Sequence, residues 1–372
     1  MMKRAAIIMA GGAGERFWPL SRRRHPKQLL RLLNPEKTLL EESIDRIAKV
    51  IAKEDIYIIT AEHLLVPIRE TISILPAENI IAEPMKRNTA PCLALGAAVL
   101  LEKYSLPPED IIMAVLTADQ LISPEEKFIE TVEGILNYTE QNPVLATIGI
   151  KPDRPETGYG YIEANEKFDI GETFEIKTAE AFHEKPGYSA ACRYLDSGRY
   201  LWNSGMFFWR LDAFIEQMSR HSPEIGLRIG EMKDNYKGVV NLPLTTANPA
   251  ITGIFESMPD ISIDYALMEK ADNVVVARAL FRWDDVGSWD SLERVKQKDS
   301  RGNILDGYAI AADSKDNIII NASDGRIVGL IGIENLAIIA TDDAILICPK
   351  DRVQEIRKIT GEIKQKFGDN WL

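Results

Sequence analysis

A short apolar run that stops abruptly in glycine constrains this chain more than any other feature. Ala5-Ala6-Ile7-Ile8-Met9-Ala10 leads directly into Gly11-Gly12-Ala13-Gly14, and Glu15-Arg16-Phe17-Trp18-Pro19-Leu20-Ser21 follows. An Ile-rich run of this length reads as a buried strand, and three glycines in four positions end it. Glycine carries no Cβ, so the backbone N–H groups of such a loop can approach a bulky anion closely. Arg16 comes at once, and Lys27 stands a little further on in His25-Pro26-Lys27-Gln28. Two cations beside a cluster of backbone donors describe a polyphosphate site, with Ala10, Gly11, Gly12 and Gly14 as its backbone wall. The loop is not a P-loop, which needs Gly-Lys-Ser/Thr where Glu15-Arg16 stands. Nor is it a dinucleotide fingerprint, because Phe17 occupies the place of the third glycine. For the glycines taken alone, a purely structural turn is the alternative.

The 372 residues suffice for one large domain and a smaller one. A net charge of -12 argues against nucleic acid and against anionic membranes as partners. A phosphate-rich ligand must therefore be held by local cations and metal. Cys92, Cys192 and Cys348 lie far apart without paired spacing, and the four histidines form no metal or triad pattern, so a reducing cytoplasm is expected. Met1-Met2-Lys3-Arg4 before an apolar run superficially suggests a signal peptide, but that run is too short and passes straight into glycine. No segment is long and apolar enough to span a bilayer.

Thr38-Leu39-Leu40-Glu41 is a capping box opening a helix, with Leu40, Ile44, Ile47 and Ile51 along one face. Strands are expected at 56–60, 79–83, 111–116 and 144–149. Helices are expected at 64–74 and from Asn88, as cap, through Ala94 to Leu101. Strands rich in Ile and Val that alternate with helices imply a parallel α/β sheet covered on both faces. Ligands then lie at the carboxyl ends of strands, where the glycine loop, Glu83 and Asp119 all fall. The middle third adds strands around Gly158-Tyr159-Gly160, Phe182-His183-Glu184-Lys185-Pro186 and residues 202–209. Residues 211–271 read mostly as helices and 273–283 as one more strand, ending in Asp284-Asp285-Val286-Gly287. Trp202, Trp209, Trp283 and Trp289 read as core. After about Ser300, short apolar runs at 317–320, 326–333, 336–340 and 344–348 alternate with Asp, Asn, Gly and Ser, which suggests a small all-β coil or sandwich. From Asp351 an amphipathic helix is expected, carrying Val353, Ile356, Ile359, Ile363 and Phe367. The expected domains are 1–298 and 299–372.

The string Gly11-Gly12-Ala13-Gly14-Glu15-Arg16, with Pro19-Leu20 and Pro26-Lys27, resembles the signature of the sugar-phosphate nucleotidyltransferases. Glu83-Pro84-Met85-Lys86-Arg87-Asn88-Thr89-Ala90-Pro91 resembles the Glu-Pro-x-x-Arg-Asn-Thr-Ala-Pro string of the mannose-1-phosphate guanylyltransferases among them. The likeness runs motif by motif along roughly the whole chain. It implies a Rossmann-like, doubly wound mixed sheet of GT-A type with a small C-terminal all-β domain resembling a β-helix. It also implies transfer of GMP from GTP to mannose 1-phosphate, giving GDP-mannose and pyrophosphate with Mg²⁺.

Asp119 and Asp285 match the family's two metal-binding aspartates. Two such carboxylates repel by about 4 kcal/mol at about 4 Å and intermediate dielectric, and a bound Mg²⁺ reverses the sign. Gln120 stands where the family string carries histidine. Arg16 and Lys27 complete the expected catalytic set. Glu83 is assigned to the guanine edge, whose two adjacent N–H donors suit a carboxylate, while Arg87, Asn88 and Thr89 approach the ribose or phosphate. The bland alternative is a turn in which Asn88 or Thr89 merely caps. Gly158, Gly160, Glu184, Lys185, Asn203 and Asp264 match the sugar-phosphate half, with an N-cap role as the alternative for Asp264. Family members often carry a C-terminal cupin domain with metal-binding histidines; none is expected here, hence a single activity. A homodimer through the C-terminal region is expected. The rival functions are the same chemistry on another sugar phosphate or base, and a catalytically idle nucleotide-sugar sensor.

Overall fold

The computed structural model describes residues 2–12, 14–165, 175–236 and 249–372. Part of the expected helical region 211–271, namely 237–248, lies outside them, as does Ala13 of the glycine loop. The strands are β1 (Lys3–Met9), β2 (Ile56–Ala61), β3 (Ile80–Glu83), β4 (Ile111–Thr117), β5 (Leu121–Ser123), β6 (Leu145–Ile150), β7 (Tyr161–Ala164), β8 (Ile176–His183), β9 (Tyr200–Arg210), β10 (Val274–Arg278), β11 (Arg282–Asp284), β12 (Ile304–Asp306), β13 (Ala309–Ala312), β14 (Ile318–Asn321), β15 (Val328–Ile331), β16 (Leu336–Ala340) and β17 (Ile345–Pro349). The helices that matter below are α1 (Leu39–Ile47), α2 (Leu65–Thr71), α3 (Thr89–Tyr104) and, as the last α-helix of the chain, the C-terminal helix Ile356–Phe367. No helix among the described residues is long and apolar enough to cross a membrane.

The chain divides into two compact units that are not contiguous in sequence. The first comprises Met1–Gly11, Ser43–Ala118 and Ile122–Trp283; the second comprises Gly12–Glu42, Asp119–Leu121 and Asp284–Leu372.

The first unit is built on a mixed sheet of order β3-β2-β1-β4-β9-β6-β10-β8-β7. β1 runs parallel to β2 and β4, and β2 parallel to β3. Ala5 to Ile8 are fully buried, as expected for strands covered on both faces. β9 enters antiparallel between β4 and β6, so the sheet is mixed rather than purely parallel. Its eleven residues are long enough to pair with β4 through Phe207 to Arg210 and with β7 through Tyr200 to Trp202. The predicted strand 273–283 is in fact two, β10 and β11, separated after Arg278. α3 is apolar on nearly every side and buried along most of its length, the pattern of a helix inside a core rather than on its surface.

In α1 the capping box forms as expected: the Thr38 N–H donates to Glu41 Oε2 at 2.8 Å, and the Glu41 N–H donates to Thr38 Oγ1 at 3.2 Å. The helix stops at Ile47, so Ile51 is buried from a turn beyond it. All four singled-out tryptophans are buried. Cys92, Cys192 and Cys348 are free thiols.

In the second unit, β12, β14 and β16 stack in parallel, as do β13 and β15, while β17 returns antiparallel to β16. Successive rungs are therefore coils of one winding chain. Ile304 aligns with Ile318, and Ile318 with Ala337. That unequal spacing hides the repeat in the sequence. Buried asparagines turn the corners: Asn303 Oδ1 accepts from the Asn317 backbone N–H at 3.1 Å, and Asn317 Oδ1 accepts from the Leu336 N–H at 2.9 Å. The tail departs from the expected single helix. Lys350–Glu355 is a tight 3₁₀ segment and the α-helix begins at Ile356. Val353 and Ile356 are buried and Ile363 is half-buried against the same core, but Ile359 is exposed and Phe367 is 66% exposed, so the apolar stripe is used only in part.

Candidate functional site

Within the second unit the glycine loop and two distant segments meet around one ammonium. Gly14 adopts φ +63°, the left-handed region that glycine tolerates without a Cβ penalty, and opens the single turn Glu15–Phe17. A Cβ on Gly14 would lie 2.4 Å from Lys27 Cβ and 2.7 Å from the Lys27 backbone nitrogen. The missing methyl is thus what lets the Lys27 backbone close on the loop. Ser21 Oγ donates to the Gly14 carbonyl at 2.8 Å. Phe17 packs edge-on to Trp289 at 4.9 Å, and Trp289 Nε1 donates to the Trp18 carbonyl at 3.2 Å. The aromatic part of the motif is therefore core.

Lys27 is 6% exposed. Its Nζ donates to Asp119 Oδ2 at 2.8 Å and to the Asp285 backbone carbonyl at 2.7 Å. Lys27, Asp119 and Asp285 are thereby brought together from three parts of the chain. The neighbouring Asp284 is engaged elsewhere. Arg294 holds it through two contacts, at 2.5 and 3.0 Å, and its Oδ1 accepts from the Val286 N–H at 2.9 Å. This fastens the turn that presents Asp285. A Cβ on Gly287 would fall 2.7 Å from Asp285 Oδ2, so that carboxylate folds over a glycine. Gln120 is buried next to Asp119 in sequence. Arg16 is half-buried and its Nη1 donates to Gln354 Oε1 at 3.2 Å.

Among the described residues no group of three or more His, Cys, Asp or Glu side chains could hold a metal ion on its own. Asp119 and Asp285 offer two hard oxygen donors. That suits Mg²⁺, which takes one or two carboxylates and fills its remaining positions with substrate phosphates and water.

In the first unit, the start of the glycine loop is clamped to β2. The Ala10 N–H donates to the Ile59 carbonyl at 2.8 Å, and Thr60 Oγ1 donates to the Ala10 carbonyl at 2.9 Å. Glu83 ends β3, and a Cβ on Gly11 would stand 3.2 Å from its Oε1. The Glu83 side chain is buried, and its Oε2 has no hydrogen-bond partner among the described residues. Burial pushes its carboxyl up to about 7, against a smaller downward pull from Lys86. A buried, unsatisfied carboxylate costs free energy unless something else satisfies it, and a ligand with N–H donors is one such thing.

The rest of that motif is occupied by the framework. Asn88, at φ +65°, caps α3, its Oδ1 accepting from the Thr89 N–H at 3.0 Å. Thr89 Oγ1 accepts from the Ile263 N–H at 2.8 Å, and Arg87 Nη2 donates to the Glu256 carbonyl at 3.0 Å. These contacts match the capping alternative.

Further along the first unit, Gly160, Glu184, Lys185, Asn203 and Asp264 do converge. A Cβ on Gly160 would lie 2.6 Å from Glu184 Oε2, and the Asn203 N–H donates to the Gly160 carbonyl at 2.8 Å. Asn203 Nδ2 donates to Asp264 Oδ1 at 2.8 Å. Lys185, at φ +46°, pairs with Glu184 at 2.9 Å and is exposed. Burial, and then Glu184, push the Asp264 carboxyl up to about 6. Gly158 is exposed, its N–H bound to Glu156 Oε1 at 3.0 Å. Sequence reasoning missed two neighbours. Thr147 Oγ1 reaches Asn203 Oδ1 at 3.4 Å and donates to the Met206 carbonyl at 2.9 Å. Glu269 is raised by burial, then by Asp264 and Glu184. A signal was present for both: Thr147 is a lone hydroxyl inside an otherwise apolar strand, and Glu269 closes the string from Ser262 that also holds Asp264.

A mixed open sheet with a glycine loop after its first buried strand, joined to a parallel β-coil, is the architecture of a sugar-nucleotide nucleotidyltransferase. The family model described as Nucleotidyl transferase matches residues 5–302, and one described as the MannoseP isomerase/GMP-like beta-helix domain matches 307–363. A mannose-1-phosphate guanylyltransferase of Salmonella muenchen is 38% identical over 365 residues, covering 98% of this chain and 74% of that protein. One from Escherichia coli is 37% identical over 96% of this chain and 74% of that protein. A solved structure from Thermus thermophilus, described as a mannose-1-phosphate geranyltransferase, superposes with a TM-score of 0.84 at 31% identity, covering 98% of this chain and all of that one. The chain belongs to the mannose-1-phosphate guanylyltransferase family of nucleotidyltransferase enzymes.

Proposed function

We propose that this enzyme transfers GMP from GTP to mannose 1-phosphate, forming GDP-mannose and releasing pyrophosphate. The observation that carries the proposal is the buried Lys27 ammonium, closed against Gly14 and shared between Asp119 and Asp285. The names of the relatives support the choice of sugar and base.

A phosphate oxygen of mannose 1-phosphate attacks the α-phosphorus of GTP in line, and the bond to pyrophosphate breaks. The nucleophile is already an anion, so no side chain has to take a proton. Catalysis then reduces to positioning and charge neutralisation. Arg16 takes the leaving β- and γ-phosphates, Lys27 the α-phosphate, and the backbone of Gly11, Gly12 and Gly14 lines them. Asp119 and Asp285 would hold Mg²⁺, which when bound neutralises phosphate charge further. Glu83 accepts the two N–H donors of the guanine edge. Glu184, Asn203 and Asp264 address the sugar hydroxyls, and Lys185 the sugar's phosphate.

The deciding experiment is pyrophosphate release with Mg²⁺ and each pairing of GTP, ATP or UTP with mannose 1-phosphate or glucose 1-phosphate. Release that needs GTP and mannose 1-phosphate together is expected. Another productive pair would replace the specificity, and no release with any pair would leave a nucleotide-sugar binder. In the same assay Glu83→Gln should relax the preference for GTP. Because the Glu83 carboxyl is raised to about 7, it gains its charge as pH rises through that value. GTP preference should therefore strengthen from pH 6 to pH 8 in the native enzyme and stay flat in Glu83→Gln. Unchanged preference in the variant would remove Glu83 from base recognition.

We further infer a homodimer formed through the C-terminal coil. Ile310, Ala312, Gly329 and Ile331 share the outer face of the β13–β15 pair, with Tyr308 and Ile327 at its margin. Ile331 is 79% exposed. A contiguous apolar face of this kind is characteristic of an interaction surface. Sedimentation at micromolar concentration should show the dimer, and Ile331→Lys should shift it to monomer; a native monomer would refute the inference.

A further inference from the structure

We propose that Gln354, in the tail that follows the β-coil, is a positioning residue that aims Arg16 at the triphosphate. The inference rests on reading Arg16 as a phosphate-binding cation. An arginine on a surface turn has many rotamers, and its charge assists a reaction only when it is held in place. Arg16 Nη1 donates to Gln354 Oε1 at 3.2 Å. The other end of the same amide, Nε2, donates to Ser288 Oγ at 2.6 Å, and the Ser288 hydroxyl in turn donates to Asp290 Oδ1.

The chemistry allows the amide only this orientation. A guanidinium has donors alone, so the amide oxygen must face Arg16. The Ser288 hydrogen is committed to Asp290, so its oxygen must accept from the amide nitrogen. Ser288 lies three residues beyond Asp285. One side chain thus links the Arg16 turn to the segment that presents Asp285.

A neutral acceptor is the group that such positioning needs. It fixes one of the guanidinium N–H donors and leaves the positive charge unneutralised for phosphate. A carboxylate in its place would capture Arg16 as an ion pair and lose the Ser288 contact.

The tail that carries Gln354 is well fastened. Val353 and Ile356 on either side are buried. Lys350 pairs with Glu293 at 2.9 Å, Arg357 with Glu15 at 3.4 Å, and the Trp371 carbonyl accepts from Trp18 Nε1 at 2.8 Å. Gln354 itself is exposed, so its replacement leaves the core filled.

The test is calorimetric titration of the full chain with Mg-GTP and with GMP, which lacks the phosphates assigned to Arg16. Arg16→Ala, Gln354→Ala, Gln354→Glu and the Arg16→Ala/Gln354→Ala double variant are compared with the native chain. Gln354→Ala should weaken GTP about fivefold, the scale of one ordinary hydrogen bond, and leave GMP unchanged. Gln354→Glu should weaken GTP more, and the double variant no more than Arg16→Ala alone. Unfolding midpoints should not move. Native GTP affinity in Gln354→Ala, equal losses for GTP and GMP, or losses that add in the double variant would overturn the proposal. If Arg16→Ala itself binds GTP normally, the reading of Arg16 fails and the positioning role falls with it. That outcome is recognisable without reference to Gln354. Should Gln354→Ala fail to fold, Gln354→Glu, which keeps the stem, decides by the same GTP-to-GMP ratio.

Discussion

Replacing Arg16 with alanine is expected to lower turnover at least about a hundredfold, the usual cost of losing one preorganised charge contact to a transition state. Arg16 is half-buried on a single turn, and the packing of that turn comes from Phe17 and Trp18. The variant should therefore fold normally, with its loss confined to function. Negative charge grows on pyrophosphate as it leaves, so the effect should fall mainly on kcat rather than on KM for mannose 1-phosphate. Steady-state pyrophosphate release, with circular dichroism as the folding control, measures this. Near-normal turnover would remove Arg16 from the mechanism.

Lys27→Met should cost two to three orders of magnitude in turnover, by the same scale of electrostatic loss. Methionine preserves most of the buried stem, which closes on Gly14, and gives up only the ammonium and its approach to the Phe17 ring at 5.7 Å. It removes the ammonium that joins Asp119 to the Asp285 carbonyl. Two acidic segments then lose their shared cation while the wall of the site stays intact. Urea unfolding should move far less than turnover does. If both fall together, Lys27 is chiefly a structural strut; if neither moves, the phosphate role assigned to it is wrong.

The two substitutions differ in what the sequence could say about them. Both cations were legible because each lies in a short string whose neighbours are chemically unusual, glycines before Arg16 and a proline before Lys27. The capping box at Thr38 and the buried Ile-rich strands were legible for the same reason, since they depend on neighbours within a few residues. The division at Arg278 was not, because β10 and β11 are continuous in apolar character and only pairing separates them. Arg87, Asn88 and Thr89 are a case in which the sequence left two readings open. Ligand binding and capping were both open to this motif in the sequence, and in the structure its side chains cap α3 and tie down the segments at Glu256 and Ile263. Family strings record framework and function together, and residue type alone does not separate them.

By itself, the sequence determined the glycine-terminated strand, the α/β character of the sheet, the change to short strands after Ser300 and the family. All of these are local patterns or strings. Only the tertiary structure decided that β9 enters the sheet antiparallel, that unequal windings stack into a parallel coil turned by asparagines, and that Glu83 keeps an oxygen with no partner among the described residues. It also decided that Lys27 joins Asp119 to Asp285 and that Gln354 meets Arg16. The physical reason is common to all of these. Each depends on which remote groups satisfy a hydrogen bond or a buried charge, and that is settled only when the folded chain has removed water as the competing partner.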